Sequence, residues 1–265
     1  MAFGVIIIGD EILSGRRQDK HLTQAIEQLS KRGLTLSWAR YVGDDPQRIE
    51  AELRSALAGD DVVFSFGGIG ATPDDHTRAC AAAALEQQLV LHPEARELIL
   101  GRSREMAEQE GRVFVESDPD VQRRLEMGCF PQGAEIIPNP YNRIPGFSIG
   151  RRVHFLPGFP VMAWPMMEWV LDHWHAGLHG VIRMQEKSVI VLDGLESHLT
   201  PLMMDIEARF PGIKVFSLPS VDHPQWGRHI DLGVKGTGPL LDSAFEALQS
   251  GLTKLGAKTG PTMVR

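Results

Sequence analysis

Residues 61–85 read DVVFSFGGIGATPDDHTRACAAAAL: a short apolar run, a glycine turn with a proline and two aspartates, then an alanine-rich stretch. This is strand, glycine loop and helix, in that order. An uninterrupted apolar run of this length marks a strand buried on both faces, as in parallel sheets covered by helices. The run Phe3–Gly9 (FGVIIIG) is of the same kind. After it, Leu22, Ile26 and Leu29 fall on one helical stripe that Gly33 ends, and Leu34–Val42 reads as a strand. Pro46 then opens a helix with Ile49, Leu53 and Leu57 facing inward. This alternation predicts right-handed crossovers and a doubly wound, mainly parallel α/β sheet over residues 1–177.

The later part is less regular. HPEARELILGRSREMAEQEG reads as helix, Ala134–Asn139 and Arg151–Gly158 as strands, and Pro160–Trp174 as a closing helix. Periodicity lapses around residues 177–187, and residues 186–256 then read β-α-β-β-α, a small second α+β domain. The chain has 265 residues, 43% of them hydrophobic, which is ample for a real core. Its net charge of −7 argues against unspecific affinity for nucleic acid or anionic membrane. Residues 1–180 carry that whole excess, with 18 basic against 25 acidic side chains; the remainder has nine of each. Cys80 and Cys129 match neither a disulfide framework nor a metal spacing. His175 and His179 are four apart, but Gly177 interrupts them, and they read as a helix end. The N-terminus lacks the basic stretch of a leader, and no apolar run approaches the roughly 20 residues of a membrane span. A cytoplasmic protein without a membrane partner is expected.

Four acidic doublets stand in the first half: Asp10-Glu11, Asp44-Asp45, Asp60-Asp61 and Asp74-Asp75. Asp60-Asp61 precedes its strand and is expected to be a solvated turn. The other three follow strands, and in an open α/β sheet ligands bind beyond the carboxyl ends of the strands. Helix capping is the competing explanation, with Asp45 and Asp74 as the expected caps. A glycine turn at a helix entrance lets backbone N–H groups approach an anion, phosphate above all. Carboxylates beside phosphate call for a divalent cation between them, and Mg²⁺ suits one or two carboxylates plus phosphate oxygens. Arg16, Arg17 and Lys20 either add phosphate-holding charge or form a solvated basic face. No Gly-Lys-Ser/Thr follows the glycines, so this is not a Walker loop.

Four motifs appear in order over about residues 3–175: GDEILSG (Gly9–Gly15) with Asp19, VGDD (Val42–Asp45), GGIGATPDDHT, and LPGFP (Leu156–Pro160). Together they resemble the MoaB/Mog-type molybdopterin-binding domains, most closely the N-terminal part of the competence/damage-inducible protein A (CinA) family. The resemblance implies that Asp44 and Asp75 are catalytic and hold the metal. It implies that Gly67, Gly68 and Gly70, with Thr72, cradle the phosphate of a pterin or nucleotide. Glu11, Ser14 and Asp19 belong to the first binding loop, and Pro157 and Gly158 to the last. Mog-type members join molybdopterin to AMP, while CinA-type members are linked to metal-dependent cleavage of ADP-ribose. Metal-dependent pyrophosphate cleavage is therefore the implied activity. Adenylyl transfer in molybdenum cofactor biosynthesis and non-catalytic molybdopterin or nucleotide binding are the alternatives.

The second domain resembles the KH-like unit of CinA relatives, but its balanced charge and lack of a basic-flanked GXXG argue against RNA as a partner. Self-association as a dimer or trimer is implied as well, and Met162, Met166 and Met167 could build such a contact. No counterpart of the C-terminal nicotinamide-nucleotide deamidase domain is expected here. The chain departs from the family at Ala71, where proline is usual, at Ile69, and at Asn142-Arg143-Ile144, where Arg143 is expected to reshape or block the pocket.

Overall fold

The computed structural model describes residues 2–180 and 185–264, in two compact units that meet in sequence between His179 and Gly180. The lapse of periodicity around residues 177–187 includes 181–184, outside the described residues.

The first unit runs β1 (Phe3–Ile8), α1 (Asp10–Leu13), α2 (His21–Lys31), β2 (Leu36–Val42), α3 (Pro46–Ala58), β3 (Val62–Phe66) and α4 (Thr77–Ala84). It continues with β4 (Leu89–Leu91), α5 (Pro93–Gln109), α6 (Pro119–Glu126), β5 (Cys129–Pro131), β6 (Glu135–Ile137), β7 (Gly146–Ile149), β8 (Val153–Leu156) and α7 (Pro160–His173). Its main sheet has the order β2-β1-β3-β8-β7-β6. The first four of these strands are parallel; β7 and β6 add an antiparallel edge.

Both faces of the sheet are covered, as the uninterrupted apolar runs require. All six residues of β1 are buried, and successive side chains enter different cores. Ile6 and Ile8 pack with Ile49, Leu53 and Ala81 on one face, and Val5 and Ile7 with Leu29, Met167 and Val170 on the other. Each such side chain contributes about 1.5–3 kcal/mol by leaving water. The stripe on α2 is rotated from the expected one. His21, Ala25, Gln28 and Leu29 are buried, Leu22 packs partly, and Ile26 is exposed, because α7 covers only that side of the helix.

The second unit runs β9 (Gln185–Leu192), α8 (Glu196–Arg209), β10 (Lys214–His223), β11 (Gly227–Gly236), α9 (Leu240–Lys254) and β12 (Lys258–Val264). Its antiparallel sheet, ordered β10-β11-β9-β12, shares a core with both helices through Val189, Leu199, Leu232 and Leu248. The strand β12 adds to the expected β-α-β-β-α pattern. Among the described residues no helix is long and apolar enough to cross a membrane.

Candidate functional site: a cleft at the carboxyl edge of the sheet

Because β2, β1, β3 and β8 are parallel, the chain leaves all four at the same edge. A cleft of about 640 Å³ opens there, within the first unit. Its walls include Glu11 after β1, Asp44 after β2, the loop Gly67–Thr72 with Asp74 and Asp75 after β3, and Pro157–Phe159 after β8. One sheet edge thus receives four separate stretches of sequence.

The glycine loop is built by close approach. Gly67 has φ 102°, and a Cβ there would lie 2.4 Å from the Ile8 carbonyl oxygen, so β1 and β3 meet at their ends only with glycine at this position. The loop's carbonyls are held on its inner side. Thr77 Oγ1 donates to Gly67 O (3.0 Å), and Thr77 N–H donates to Gly68 O (2.9 Å). A trans peptide points the carbonyl of one residue and the N–H of the next in opposite directions. With those oxygens turned toward α4, the N–H groups of Gly68 and Ile69 turn away from it. Among the described residues the N–H groups of Gly68, Ile69, Gly70 and Ala71 donate to no protein acceptor.

The acids differ in how they are held. Asp44 Oδ2 accepts from Asp10 N–H (2.9 Å), and Asp10 Oδ1 accepts from Asp44 N–H (3.2 Å), a reciprocal tie between the β1 and β2 loops. Partial burial pushes the Asp44 carboxyl above its usual range; the Asp10 N–H opposes this, and the charges of Asp10, Glu11 and Asp74 add to it. Asp75 Oδ2 accepts from both N–H (2.8 Å) and Oγ1 of Thr72, closing a turn inside the glycine loop. Asp45 is a true cap, accepting from Gln47 and Arg48 N–H at the start of α3. Asp74 is not a cap. His76, just before α4, makes no side-chain capping bond, Thr77 secures the loop, and Asp74 stands exposed on the cleft wall. Nor is Asp61 merely solvated, since it accepts from Ala2 N–H and from the Trp38 indole (both 2.9 Å) at the opposite end of the sheet.

Of the residues proposed from sequence, Glu11, Asp44, Gly67, Gly68, Gly70, Thr72, Asp75, Pro157 and Gly158 line the cleft. Ser14 and Asp19 do not. Ser14 ends the short helix α1 and is exposed. Asp19 accepts from His21 and Leu22 N–H at the start of α2 and from Tyr41 Oη (2.8 Å). Burial, then that carboxylate, pushes the Tyr41 hydroxyl up to about 12.

Arg143 does not block the cleft. Its backbone is left-handed (φ 64°), and its guanidinium pairs with Glu105 at 2.5 Å. Neighbouring Asn139, Asn142, Ile144 and Pro145 line the wall instead. Of the altered loop positions, Ile69 is buried in the core and Ala71 is exposed at the cleft. Arg17 is on the wall, 3.7 Å from Glu11 and over the Phe159 ring, whereas Arg16 and Lys20 are not.

Sequence reading did not single out His21, which lies buried and stacked on Phe66 with ring centroids 4.5 Å apart. Its Nε2 lies 3.0 Å from Gly158 O, so Nε2 carries the proton and fixes the last cleft loop. Burial lowers its pKa and keeps the ring neutral. A helix-start histidine gives no sign of this in sequence. His175 and His179 are engaged apart from one another: His175 meets His154 (Nε2 to Nε2, 3.0 Å), and His179 bonds Leu171 O.

Residues 4–176 match the family described as a probable molybdopterin binding domain. A CinA-like protein of Anaeromyxobacter sp. (strain K) is 34% identical over 177 residues, 65% of this chain and 41% of the relative. Another, from Syntrophotalea carbinolica, is 31% identical over 218 residues, 78% of this chain and 50% of the relative. The chain thus spans half or less of the length of these curated relatives. Among solved structures, the CinA protein of Thermoplasma acidophilum, whose function is described as unknown, superposes with a TM-score of 0.54 and 27% identity, over 65% of this chain and 98% of that one. The match takes in all four parallel strands and the loops that form the cleft, and the chain belongs to the probable molybdopterin-binding domain family, of the MoaB/Mog type related to the N-terminal part of CinA.

Proposed function

We propose that the cleft binds a phosphorylated pterin or nucleotide and cleaves its phosphoanhydride, with ADP-ribose as a substrate of the right chemistry. One observation carries this reading: unpaired backbone N–H groups of the glycine loop and the carboxylates of Asp44 and Asp75 line one cleft. N–H groups without protein acceptors suit phosphate oxygens. Carboxylates beside them would repel the same phosphate unless a cation stood between.

The donor set fits a hard divalent cation of the Mg²⁺ kind. Asp44, Asp75 and Glu11 offer only oxygens, and the negative field around Asp44 is one that a cation relieves. Among the described residues no three His, Cys, Asp or Glu side chains gather closely enough to hold an ion alone, so substrate phosphate and water would supply the remaining ligands. When bound, such an ion neutralises the anhydride's charge and makes attack on phosphorus easier. The protein's own groups do the rest. The N–H groups of residues 68–71 orient the phosphate, Asp44 and Asp75 face its charge, and Thr72 keeps Asp75 in place. Water adds across the P–O–P bond, and ADP-ribose yields AMP and ribose 5-phosphate.

A second reading, binding without cleavage, draws on the engagement of Asp75 Oδ2 by Thr72, which leaves that carboxylate less free to serve a metal. A product-release panel with ADP-ribose and related dinucleotides, under Mg²⁺, Mn²⁺ or Co²⁺, separates the two. Metal-dependent cleavage that disappears in Asp44→Asn and Asp75→Asn supports hydrolysis. Tight calorimetric binding of nucleotide or pterin without product moves the protein to the carrier reading.

A further inference from the structure

Arg78, the second residue of α4, is 9% exposed. Its Nη2 donates to Gly70 O (2.5 Å), and its Nη1 donates to Glu126 O at the last turn of α6. Its Nε is buried without a partner. Both of its acceptors are uncharged carbonyls. Burial lowers its pKa, while Cys129, Asp75 and Glu126 oppose the shift. A guanidinium in a folded protein keeps its proton. A full positive charge therefore sits buried behind the glycine loop, near the negative end of α6, where cations are favoured.

Thr77 holds the carbonyls of Gly67 and Gly68, and the carbonyl of Gly70 is left to Arg78. By the same peptide geometry, holding Gly70 O inward turns the N–H of Ala71 away from Arg78. The other hydrogen bond reaches the backbone just before Met127, which lines the cleft. One side chain thus ties the glycine loop to a second stretch of the wall. It also sets a cation near the carboxylate of Asp75.

We propose that Arg78 is a positioning residue for the phosphate. It orients the Gly70–Ala71 peptide and supplies buried positive charge that favours an anion in the loop. The proposal rests on the phosphoanhydride reading above and predicts an effect on binding rather than on the chemical step.

The test compares Arg78→Met and Arg78→Lys with the unaltered protein. Inorganic pyrophosphate is titrated by calorimetry, ADP-ribose cleavage is split into kcat and KM, and melting temperature is recorded for each variant. In Arg78→Met, pyrophosphate binding is expected to weaken about tenfold and KM to rise in parallel, with kcat within about threefold. Arg78→Lys keeps the charge but cannot reach both carbonyls, and is expected to weaken binding about threefold. A purely structural tie would lower melting temperature in both variants and leave pyrophosphate affinity of the folded protein untouched. That result overturns the proposal. Should Arg78→Met fail to fold, Arg78→Lys decides alone, and unaltered affinity there is the overturning outcome. If the unaltered protein itself binds no pyrophosphate, the phosphoanhydride reading fails first and takes the role of Arg78 with it.

Discussion

The two units use strand direction differently. In the first, four parallel strands end along one edge, and the loops beyond them bring together Glu11, Asp44, Asp75 and the glycines from across some 150 residues. In the second, every strand pair is antiparallel, so successive strand ends fall at opposite sides of the sheet. Its sequence carries nine basic and nine acidic side chains, with no excess of either sign. A parallel sheet gathers chemistry at one edge, and an antiparallel sheet of similar size does not. The acidic excess of the first unit is therefore a property of its site as much as of its surface.

The sharpest test of this contrast perturbs the second core. Leu232 is fully buried, and Leu232→Ala is expected to cost about 3 kcal/mol and several degrees of melting temperature. Pyrophosphate affinity of the still-folded variant should not move; a parallel loss of affinity would break the contrast. Next comes the pair Asp75→Asn and Asp222→Asn. The first is expected to lower kcat about a hundredfold, equivalent to about 2.7 kcal/mol, while the second, near the end of β10 in the second unit, leaves it unchanged. Equal kcat in both variants would remove Asp75 from the mechanism. Gly67→Ala follows, with a left-handed φ and a 2.4 Å clash against Ile8 O, at about 2 kcal/mol by thermal unfolding. A neutral result would show that the ends of β1 and β3 can separate.

The smallest expected effect concerns pH. The folded state raises the pKa of Asp44, so the stability this group contributes is fully present below the ordinary aspartate value and is lost as pH rises through the raised one. Asp44→Asn should thus melt about 1 °C higher at neutral pH, a figure discounted for partial solvent screening, with the gain vanishing in acid. A lower melting temperature at neutral pH would mean that the tie to Asp10 outweighs the repulsion.

Much of the first unit was legible because its signals are local. The run Phe3–Ile8 admits little but a doubly buried strand, and acids directly after strands are drawn to one edge by topology alone. What stayed hidden depends on backbone states and partners that residue type does not announce. The hairpin joining β7 to β8 turns through Gly150 and Arg151, both left-handed (φ 59° and 51°), and an arginine in the second of these positions hides the turn and with it β7. Arg143 at φ 64° swings out to Glu105 for a like reason. The edge strand β12 carries Gly260 and Pro261 at its register shift, residues that argue against a strand unless the ladder is broken there. Asp74 caps no helix and Asp61 is tied to Ala2 and Trp38, because a carboxylate's partners depend on which N–H groups lie within reach. Charge next to a strand does not say that.

The reciprocal bonds between Asp10 and Asp44 have a consequence for natural variation. Each carboxylate is the acceptor for the other loop's amide, so losing either side chain frees the backbone N–H of the opposite loop. Position 10, which is absent from the cleft wall, should then tolerate exchange no better than position 44. Deep mutational scanning would find an intolerant residue with no ligand to explain it, and amide exchange would quicken at position 10 when Asp44 is replaced and at position 44 when Asp10 is.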